Sequence, residues 1–378
     1  MKLSEEHILI QGSVRRFTKN EIMPIAEQMD QEDYLPEDLF LKFGNLGILG
    51  ITIPEEYGGA GGDPLSQVLI SEELAKGSTG VAISYAAHSN LCAHNLCKNG
   101  NEFQRRKYLP HLCTGEKIGA LGLTEPEAGS DAMGIQTTAV RDGDIYRLNG
   151  SKMFITNGPI ADTLLIYTKT ANTSGTEAIT AFIVERNFEG FSTSNKLKKM
   201  GCNSSPTSEV FLDDCIVPAE NVLGGKNNGV AVMMAGLDIE RVVVAGISLG
   251  IAEAAFAESL KYSKKRKQFG QPICNFQLIQ AKLADMYTGI EAARLLIYDT
   301  AIRGVKEERL RKESAAAILF TAEMATRVCL EAVQIHGGYG YMLEFPVNRY
   351  LREAKLLEIG AGTSEIRRLL IARELLTL

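Results

Sequence analysis

The spacing of apolar residues changes twice along the chain, and this change limits the fold more than any other feature. Residues 1–118 carry apolar residues at helical spacing, as in "PLSQVLISEELAKG". Residues 119–228 instead contain short runs rich in β-branched and aromatic residues, such as "TLLIYTKT" and "AITAFIVE", separated by turns. The helical pattern returns at 229. The sequence therefore predicts an α+β multidomain fold: an N-terminal α-helical domain (1–118), a middle β-sheet domain (119–228) and a C-terminal α-helical bundle domain (229–378).

Charge and cysteine content narrow the class of partner and the compartment. The formal net charge of −6 at pH 7 argues against nucleic acid as a partner, because binding phosphates requires a basic surface. The sequence contains no apolar run long enough to span a membrane, and its first residues lack signal-peptide or transit-peptide character. The 7 cysteines form no C-x-x-C pair and the 5 histidines show no metal-ligand spacing. We therefore expect reduced thiols and no metal site.

Three glycine-rich stretches have a composition that is typical of phosphate-binding loops. The stretch "GGAGG" (58–62) lacks a G-x-G-x-x-G frame, and "GGKNNG" (224–229) lacks the order and the Lys-Ser/Thr ending of a P-loop. Both are predicted to be connections. The third stretch, "GAGTSE" (360–365), would let a backbone approach a ligand, although its spacing alone favours an ordinary helix cap by Thr363 or Ser364. A dinucleotide would therefore have to bind without a Rossmann fingerprint.

Five strings carry a resemblance to a known family. They are "LTEPEAGSD" (123–131), "MFITNG" (153–158), "RKQFGQPICNFQ" (266–277), "QIHGGYGY" (334–341) and "GTSEIRR" (362–368). In this order they resemble the acyl-CoA dehydrogenase family of flavoproteins. Further strings, including "SYAAHSNLC" and "LDIERVVVAG", are similar to its isovaleryl-CoA dehydrogenase branch.

The resemblance implies a fold, a cofactor and partners. The fold has the three domains predicted above and assembles as a homotetramer. FAD lies between the β domain and the C-terminal helices, and a neighbouring subunit completes its site. The substrate is an acyl-CoA, and electrons leave to electron-transferring flavoprotein. The chain would be cytoplasmic if bacterial, or in the mitochondrial matrix if it is a processed eukaryotic form.

The resemblance also implies the residues that hold FAD. The cofactor-binding residues that it predicts are Leu121, Gly122, Leu123, Thr124, Gly129, Ser130, Phe154, Ile155, Thr156, Arg266, Phe269, Gln277, Gln334, Ile335, His336, Gly337, Gly338, Thr363, Ser364 and Glu365. Phe154 stands where relatives often have tryptophan, which keeps an apolar wall but loses the indole N–H. Arg266 would pair with the pyrophosphate, since its forked donors match phosphate geometry.

The catalytic base has two family positions. Many members carry a glutamate immediately before the Gly-Thr at 362–363, but this chain has Ala361 there, which cannot accept a proton. The other position is Glu240, whose apolar neighbours along the helix should raise its pKa. The window around Glu240, taken alone, favours a structural ion-pair partner at the bundle surface. Because isovaleryl-type enzymes show this exchange of positions, the resemblance implies that Glu240 is the base. The Ala361 N–H would then bind the thioester oxygen beside an FAD ribityl hydroxyl.

The resemblance further implies a pocket for a branched acyl chain. Gly360 replaces a bulky tyrosine of straight-chain relatives, which frees volume for a branch. The predicted substrate-binding residues are Leu91, Ser130, Asp238, Arg241, Val244, Gly360 and Gly362. On its spacing alone, Arg241 could equally be a helix residue with a solvated charge. Asn203, Ser204 and Ala231 depart from the residues of close relatives and could alter substrate preference.

We expect oxidation of isovaleryl-CoA to 3-methylcrotonyl-CoA. The sequence also allows three other functions. One is a dehydrogenase for a larger, terpenoid or 2-methyl-branched acyl-CoA, and another is an oxidase or monooxygenase. A third is a non-catalytic interaction protein that keeps the flavin fold.

Overall fold

A computed structural model describes residues 3–170, 178–305 and 310–376. The first helical region has helices α1 (Glu5–Phe17), α2 (Ala26–Glu32), α3 (Leu39–Asn45), α4 (Pro64–Gly77), α5 (Thr79–Ala86), α6 (Asn95–Asn99) and α7 (Glu102–Thr114). Ser4 caps α1 by accepting a hydrogen bond from the backbone N–H of His7 at 3.1 Å. A π-helical segment, Ala87–His94, connects α5 to α6. The predicted loop at 58–62 is confirmed, since it is not part of any helix or strand.

A mixed sheet follows. Its strands are β1 (Gly119–Gly122), β2 (Thr138–Asp142), β3 (Ile145–Thr156), β4 (Thr163–Lys169), β5 (Ile179–Glu185), β6 (Phe191–Thr193), β7 (Thr207–Pro218) and β8 (Val222–Leu223). The spatial order is β6-β7-β3-β2-β4-β5-β8, with β1 pairing with β4 in parallel. The predicted Asp-Gly turn joins β2 to β3, and Gly143 there has φ +61°. Fully buried residues dominate β4 and β5, as expected for strands covered on both faces.

The last region is helical again. It contains α8 (Gly229–Lys265), the short hairpin strands β9 (Lys267–Gln268) and β10 (Gln271–Pro272), α9 (Gln277–Arg303), α10 (Arg311–His336), α11 (Pro346–Leu357) and α12 (Ser364–Leu376). The sequence predicts a long helix from 229 and further helices at about 276–303, 307–336 and 364–376, so it misses α11 among the long helices of this region. The predicted start of α10 at about 307 falls outside the described residues. The fold class is confirmed. Among the helices of the described residues, none has both the length and the apolar character that a membrane crossing needs.

Helix α8 contacts two hydrophobic cores. Its first turns belong to a core shared with α6, α7 and the sheet, in which Val232 and Leu165 are both buried. Its later turns pack with α4 and the C-terminal helices, where Val243 and Ile247 are fully buried. Glu240 lies between these two packed segments.

Glycines let α4 and α8 approach each other closely. A Cβ added at Gly246 would lie 3.0 Å from the carbonyl oxygen of Val68, and one added at Gly250 would lie 2.1 Å from that of Glu72. A real Cβ does not tolerate 2.1 Å, so this spacing requires glycine at 250, whereas a Cβ at 246 would require its neighbours to shift slightly. The contact fixes α8 against the N-terminal helices.

A buried cluster of polar side chains lies at the same crossing. We call it the junction cluster: Glu72, Lys76, Glu253, Arg294 and Tyr298. Glu72 is fully buried and accepts a hydrogen bond from the Tyr298 hydroxyl at 2.7 Å. Lys76 and Arg294 both pair with Glu253, at 2.6 and 2.5 Å. Burial and the Glu253 charge raise the pKa of Glu72. The cluster connects α4 with α8 and α9.

Candidate active site

Glu240 is the carboxylate on α8 that the sequence singles out as a base. It is partly buried, and its Oε2 atom is buried without a hydrogen-bond partner. Within the described ranges it makes no ion pair. Leu237, three residues earlier, packs beside the sheet-side core, whereas Val243 belongs to the helical core. The interpretation of Glu240 as a surface ion-pair partner therefore does not fit the structure.

The surroundings of Glu240 favour its neutral form near neutral pH. Burial raises the pKa of Glu240 to about 7, although the positive charges of Arg241 and Arg367 act in the opposite direction. A carboxyl group with this pKa is partly ionised at pH 7 and can accept a proton. An unpartnered oxygen on such a group is available to a bound molecule.

The turn between α11 and α12 presents backbone groups of the kind predicted from its small residues. The N–H groups of Ile359 and Gly360 both donate to the carbonyl of Leu356, at 3.0 and 2.9 Å. Ala361 then adopts φ +56° and Gly362 φ +90°. The left-handed conformation costs alanine roughly 1–2 kcal/mol. Strain of this kind is concentrated at functional sites.

The residues after the turn begin α12. The Thr363 hydroxyl accepts a hydrogen bond from the backbone N–H of Ile366 at 3.3 Å, so it caps the helix, as its spacing suggests. The Ser364 hydroxyl is buried and lacks a hydrogen-bond partner within the described ranges. Glu365 is exposed in the first turn.

Arg367 is a site residue that sequence reasoning missed. Its side chain is 1% exposed, and its Nη2 atom donates to the carbonyl oxygens of Leu357 at 2.8 Å and Gly360 at 2.5 Å. The available signal was its spacing, four residues after Thr363, which places it on the helix face nearest the turn.

The loop after β1 is held against β3 by a buried ion pair. Lys152 Nζ lies 2.7 Å from Glu125 Oε1, and Glu125 also accepts hydrogen bonds from Thr137. The backbone N–H of Met153 donates to the carbonyl of Thr124 at 2.8 Å. These contacts bring the strings "LTEPEAGSD" and "MFITNG" together.

A β-bulge turns Phe154 outward. The pairing of β3 with β7 shifts between Lys152 and Ile155, and Phe154 has φ +61° within that shift. Its ring is 66% exposed, whereas the Ile155 side chain is buried in the core of the sheet. Bulges commonly redirect a side chain in this way.

The predicted cofactor residues are distributed over five places. Leu121, Gly122, Leu123, Thr124, Gly129 and Ser130 run from β1 into the following loop, and Phe154, Ile155 and Thr156 end β3. Arg266, Phe269 and Gln277 surround the β9–β10 hairpin, Gln334, Ile335, His336, Gly337 and Gly338 end α10, and Thr363, Ser364 and Glu365 open α12.

Several of these residues fit FAD. Phe154 and Phe269 expose apolar rings, at 66% and 92%. A Cβ at Gly129, Gly337 or Gly338 would meet no atom within 4 Å, so a ligand can approach the backbone there. The orphaned Ser364 hydroxyl adds a polar group. The residues present therefore suit a ligand with a flat ring and phosphates.

The side chains of two predicted residues point elsewhere. His336 is buried and stacks on Tyr262 at 4.1 Å between ring centroids, and Ile335 belongs to the helical core. Only their backbone groups are therefore available to a cofactor. Arg266 is exposed, with its guanidinium over the Tyr339 ring.

The predicted substrate residues lie on α8, on the π-helical segment, on the Gly360–Gly362 turn and, for Ser130, in the loop after β1. Leu91 and Val244 are partly buried, whereas Ser130 is exposed. Arg241 is buried and pairs with Asp238 at 2.8 Å, so it is not a solvated charge. Asp238 also lines a cavity of about 280 Å³.

Asn203 and Ser204, which differ from the residues of close relatives, form contacts between a loop and the N-terminal helices. The hydroxyl groups of Ser204 and Ser78 lie 2.8 Å apart, and the side-chain amide of Asn203 donates to the carbonyl of Asp30 at 2.9 Å. Both residues therefore attach the segment before β7 to the N-terminal helices. Ala231 is exposed in the first turn of α8.

Comparison with known proteins assigns the family. The family models for the N-terminal, middle and C-terminal domains of acyl-CoA dehydrogenase match residues 4–116, 120–215 and 227–376. Mitochondrial isovaleryl-CoA dehydrogenase of Pongo abelii is 48% identical over 98% of this chain and 89% of its own length. Mitochondrial 2-methylacyl-CoA dehydrogenase of Solanum tuberosum is 46% identical over 96% and 89%. Butyryl-CoA dehydrogenase from Megasphaera elsdenii matches in structure with a TM-score of 0.97 and 43% identity, over 100% of this chain and 99% of that one. The chain therefore belongs to the acyl-CoA dehydrogenase family and is a flavin-dependent oxidoreductase whose cofactor is FAD.

Proposed function

We propose that this protein oxidises a short branched-chain acyl-CoA between its α and β carbons, with isovaleryl-CoA as the preferred substrate and 3-methylcrotonyl-CoA as the product. One observation carries the proposal. The carboxyl group of Glu240 has a buried, unpartnered oxygen and a pKa raised to about 7, whereas the turn at 360–362 offers only alanine and glycine. Glu240 is therefore the carboxylate best suited to take the α-proton.

Two residues of the chain have separate roles in the reaction: one removes a proton and the other stabilises negative charge. Glu240 accepts the α-proton, and the carbon–hydrogen electron pair becomes available for the new double bond. As this happens, negative charge builds up on the thioester oxygen. The backbone N–H of Ala361 donates to that oxygen, and one such donor is worth roughly 10²–10³ in rate. Bound FAD supplies the acceptor for the hydride that leaves the β carbon.

The preference for a branched chain rests on small residues near the turn. Gly360 has no side chain, and a Cβ there would meet only the Leu356 carbonyl oxygen, at 3.6 Å. Val244 and Leu91 would form walls of the acyl pocket. One methylene changes discrimination by only about 1–3 kcal/mol, so a range of chain lengths should react at graded rates.

The test of the base is a Glu240→Gln variant mixed with isovaleryl-CoA without oxygen. We expect the rate of flavin bleaching to fall by about 10²–10⁴-fold, because glutamine cannot accept the proton. Glu258→Gln is the matched control on the same helix, since the one ion pair of Glu258 within the described residues is with the exposed Lys261. Bleaching of the Glu240→Gln variant at the wild-type rate would show that another group is the base.

The second candidate function is dehydrogenation of a 2-methyl-branched or larger acyl-CoA. The similarity of this chain to the 2-methylacyl-CoA dehydrogenase of Solanum tuberosum supports this second candidate. We would compare kcat/KM for isovaleryl-CoA, 2-methylbutyryl-CoA, butyryl-CoA and a terpenoid acyl-CoA. A clear preference for one of the last three would replace isovaleryl-CoA as the substrate.

We also propose that the chain forms a homotetramer and passes electrons to electron-transferring flavoprotein. Large apolar side chains around the hairpin and the end of α10 support an assembly, since Phe269, Leu278 and Tyr341 are 92%, 80% and 81% exposed. Light scattering of the FAD-loaded protein measures the mass. Slow reoxidation of the reduced flavin by oxygen, with fast reoxidation by electron-transferring flavoprotein, would distinguish a dehydrogenase from an oxidase.

A further inference from the structure

Arg367 is the largest side chain that the fold buries completely. It lies on α12 and reaches back over the turn, where its Nη2 atom donates to two carbonyl oxygens, those of Leu357 and Gly360. Its Nε and Nη1 atoms are buried and have no hydrogen-bond partner within residues 3–170, 178–305 and 310–376. A buried guanidinium with two unused donors is costly to keep, which indicates more than a packing role.

The contact with Gly360 determines how Ala361 presents its N–H. The Gly360 carbonyl and the Ala361 N–H belong to one planar, trans peptide unit, so they point in opposite directions. A hydrogen bond that holds the carbonyl toward Arg367 therefore holds the N–H on the far side. A charged donor at the carbonyl also polarises the peptide, which makes its N–H a stronger donor.

The turn needs such support because its conformation is strained. Ala361 has φ +56°, which alanine rarely adopts. The hydrogen bond from the Ser364 N–H to the Glu358 carbonyl, at 2.9 Å, closes the turn from outside. The Arg367 side chain contacts the turn through the carbonyl of Gly360 and contacts the end of α11 through the carbonyl of Leu357.

We infer that Arg367 is a positioning residue for the dehydrogenation: it holds the Gly360–Ala361 peptide with the Ala361 N–H available to the thioester oxygen. The inference rests on the proposed function, because it presumes that Glu240 is the base and Ala361 the donor.

The charges that act on Glu240 come from its own helix and from α12. Arg241 on α8 is partly neutralised by Asp238, with which it pairs at 2.8 Å. Arg367 makes no ion pair within the described residues, although the carboxylates of Glu358 and Glu323 interact with it electrostatically. Tyr167 on β4 also interacts with Glu240, but burial raises the pKa of Tyr167 and keeps it neutral. Arg367 is thus, with Arg241, a cation that acts on the base, and this electrostatic effect is its second role.

Two substitutions separate the two roles of Arg367. Arg367→Lys keeps the charge, but its ammonium group ends one bond short of the Nη2 atom that donates to both carbonyls. Arg367→Gln keeps one N–H donor but loses the charge. The first readout is the carbonyl stretching frequency of bound 3-methylcrotonyl-CoA, measured by Raman difference spectroscopy on the FAD-loaded protein. The second readout is the pH dependence of the flavin reduction rate with isovaleryl-CoA.

Each variant has its own expected result. Arg367→Lys should weaken the lowering of the carbonyl frequency and slow reduction by about 10–100-fold, as expected when a donor is misplaced by about 1 Å. Its pH midpoint should stay where it is in the wild type. Arg367→Gln should move that midpoint to higher pH, because loss of a positive charge disfavours the ionised form of Glu240.

Arg368→Gln is the matched control. Arg368 is the next residue, and in the part of the chain that the structure describes its one ion pair is with Glu323 and is partly exposed, so neither readout should change. If Arg367→Gln does not fold, Arg367→Lys alone decides, through the carbonyl frequency. An unchanged frequency in Arg367→Lys overturns the positioning role, and an unchanged midpoint in a folded Arg367→Gln overturns the electrostatic role. If Glu240→Gln reduces its flavin at the wild-type rate, the proposed function itself fails, which is a different result.

Discussion

Ala361 shows how a residue without a functional side chain can be essential at the scale of single atoms. In the proposed mechanism its contribution is a backbone N–H, which a left-handed conformation at φ +56° holds in place. An alanine there already bears strain, and any β-branched residue would bear more. The position should therefore tolerate only changes that keep both the N–H and the conformation.

Ala361→Gly meets both conditions. Glycine relieves strain of roughly 1–2 kcal/mol but adds about 0.4–1 kcal/mol of unfolded-state freedom. We expect the free energy of unfolding to rise slightly or stay constant in urea titration, and the flavin reduction rate to stay within about tenfold of wild type, since the donor is retained. A hundredfold loss of rate with normal stability would show that the methyl group itself contributes to catalysis.

Glu240 gives a prediction for pH. Its pKa is raised to about 7 by burial, and only the ionised carboxylate can accept the α-proton. The rate of flavin reduction should therefore increase as the pH rises through about 7 and fall below it. Stopped-flow measurement with isovaleryl-CoA across this range tests the prediction. A rate independent of pH would contradict the assignment of Glu240.

At the scale of elements, helix α8 places Glu240 through its contact with α4. The glycines at 246 and 250 let the two backbones touch, so the position of the base depends on residues far from it along the helix. Packing of this kind leaves little room for adjustment.

Gly250→Ala tests the contact. The new methyl group would lie 2.1 Å from the Glu72 carbonyl oxygen, which forces the helices apart. We expect a loss of about 1–3 kcal/mol in the free energy of unfolding. Gly12→Ala is the control, because its Cβ would meet only the end of the Arg16 side chain at 3.7 Å, and it should stabilise α1 by about 0.5–1 kcal/mol. Equal effects of the two substitutions would mean that the close approach is unimportant.

The elements also show what the sequence reveals and what it hides. Helix α8 was predicted because its apolar pattern runs without interruption from 229 to 265. Helix α11 was missed, although Val347, Tyr350, Ala354 and Leu357 are buried at helical spacing, because charged residues fill the positions between them. The exposure of Phe154 could not be read from the sequence, since it depends on the register between β3 and β7. Arg367 was missed because its partners are backbone carbonyls, and residue types alone do not predict which carbonyls a side chain will contact.

At the scale of the whole molecule, the junction cluster holds the N-terminal helices to the C-terminal bundle. Glu72 is fully buried and Glu253 is partly buried. The cations of the cluster stabilise both carboxylates, and the Tyr298 hydroxyl stabilises Glu72. Loss of one donor leaves a charged oxygen without compensation.

Tyr298→Phe removes one such donor. The hydroxyl binds the fully buried Glu72 at 2.7 Å, so we expect a loss of about 1.5–3 kcal/mol in the free energy of unfolding. Tyr57→Phe is a matched control, because the Tyr57 hydroxyl binds the exposed Glu102 at the same distance of 2.7 Å. Its effect should be much smaller, since water can replace the lost bond. Similar losses in both variants would show that burial of the cluster adds nothing.

The junction cluster has a consequence for how the chain matures. Glu72 and Tyr298 are separated by 226 residues, so a ribosome has made most of the protein before the hydroxyl that satisfies Glu72 exists. Until then the apolar face of α4 has no permanent cover, and contacts of such long range form slowly. A nascent chain that stalls within the sheet would expose this face to other proteins. Chaperone binding during translation should therefore continue until Tyr298 has emerged, when only about the last 80 residues remain to follow.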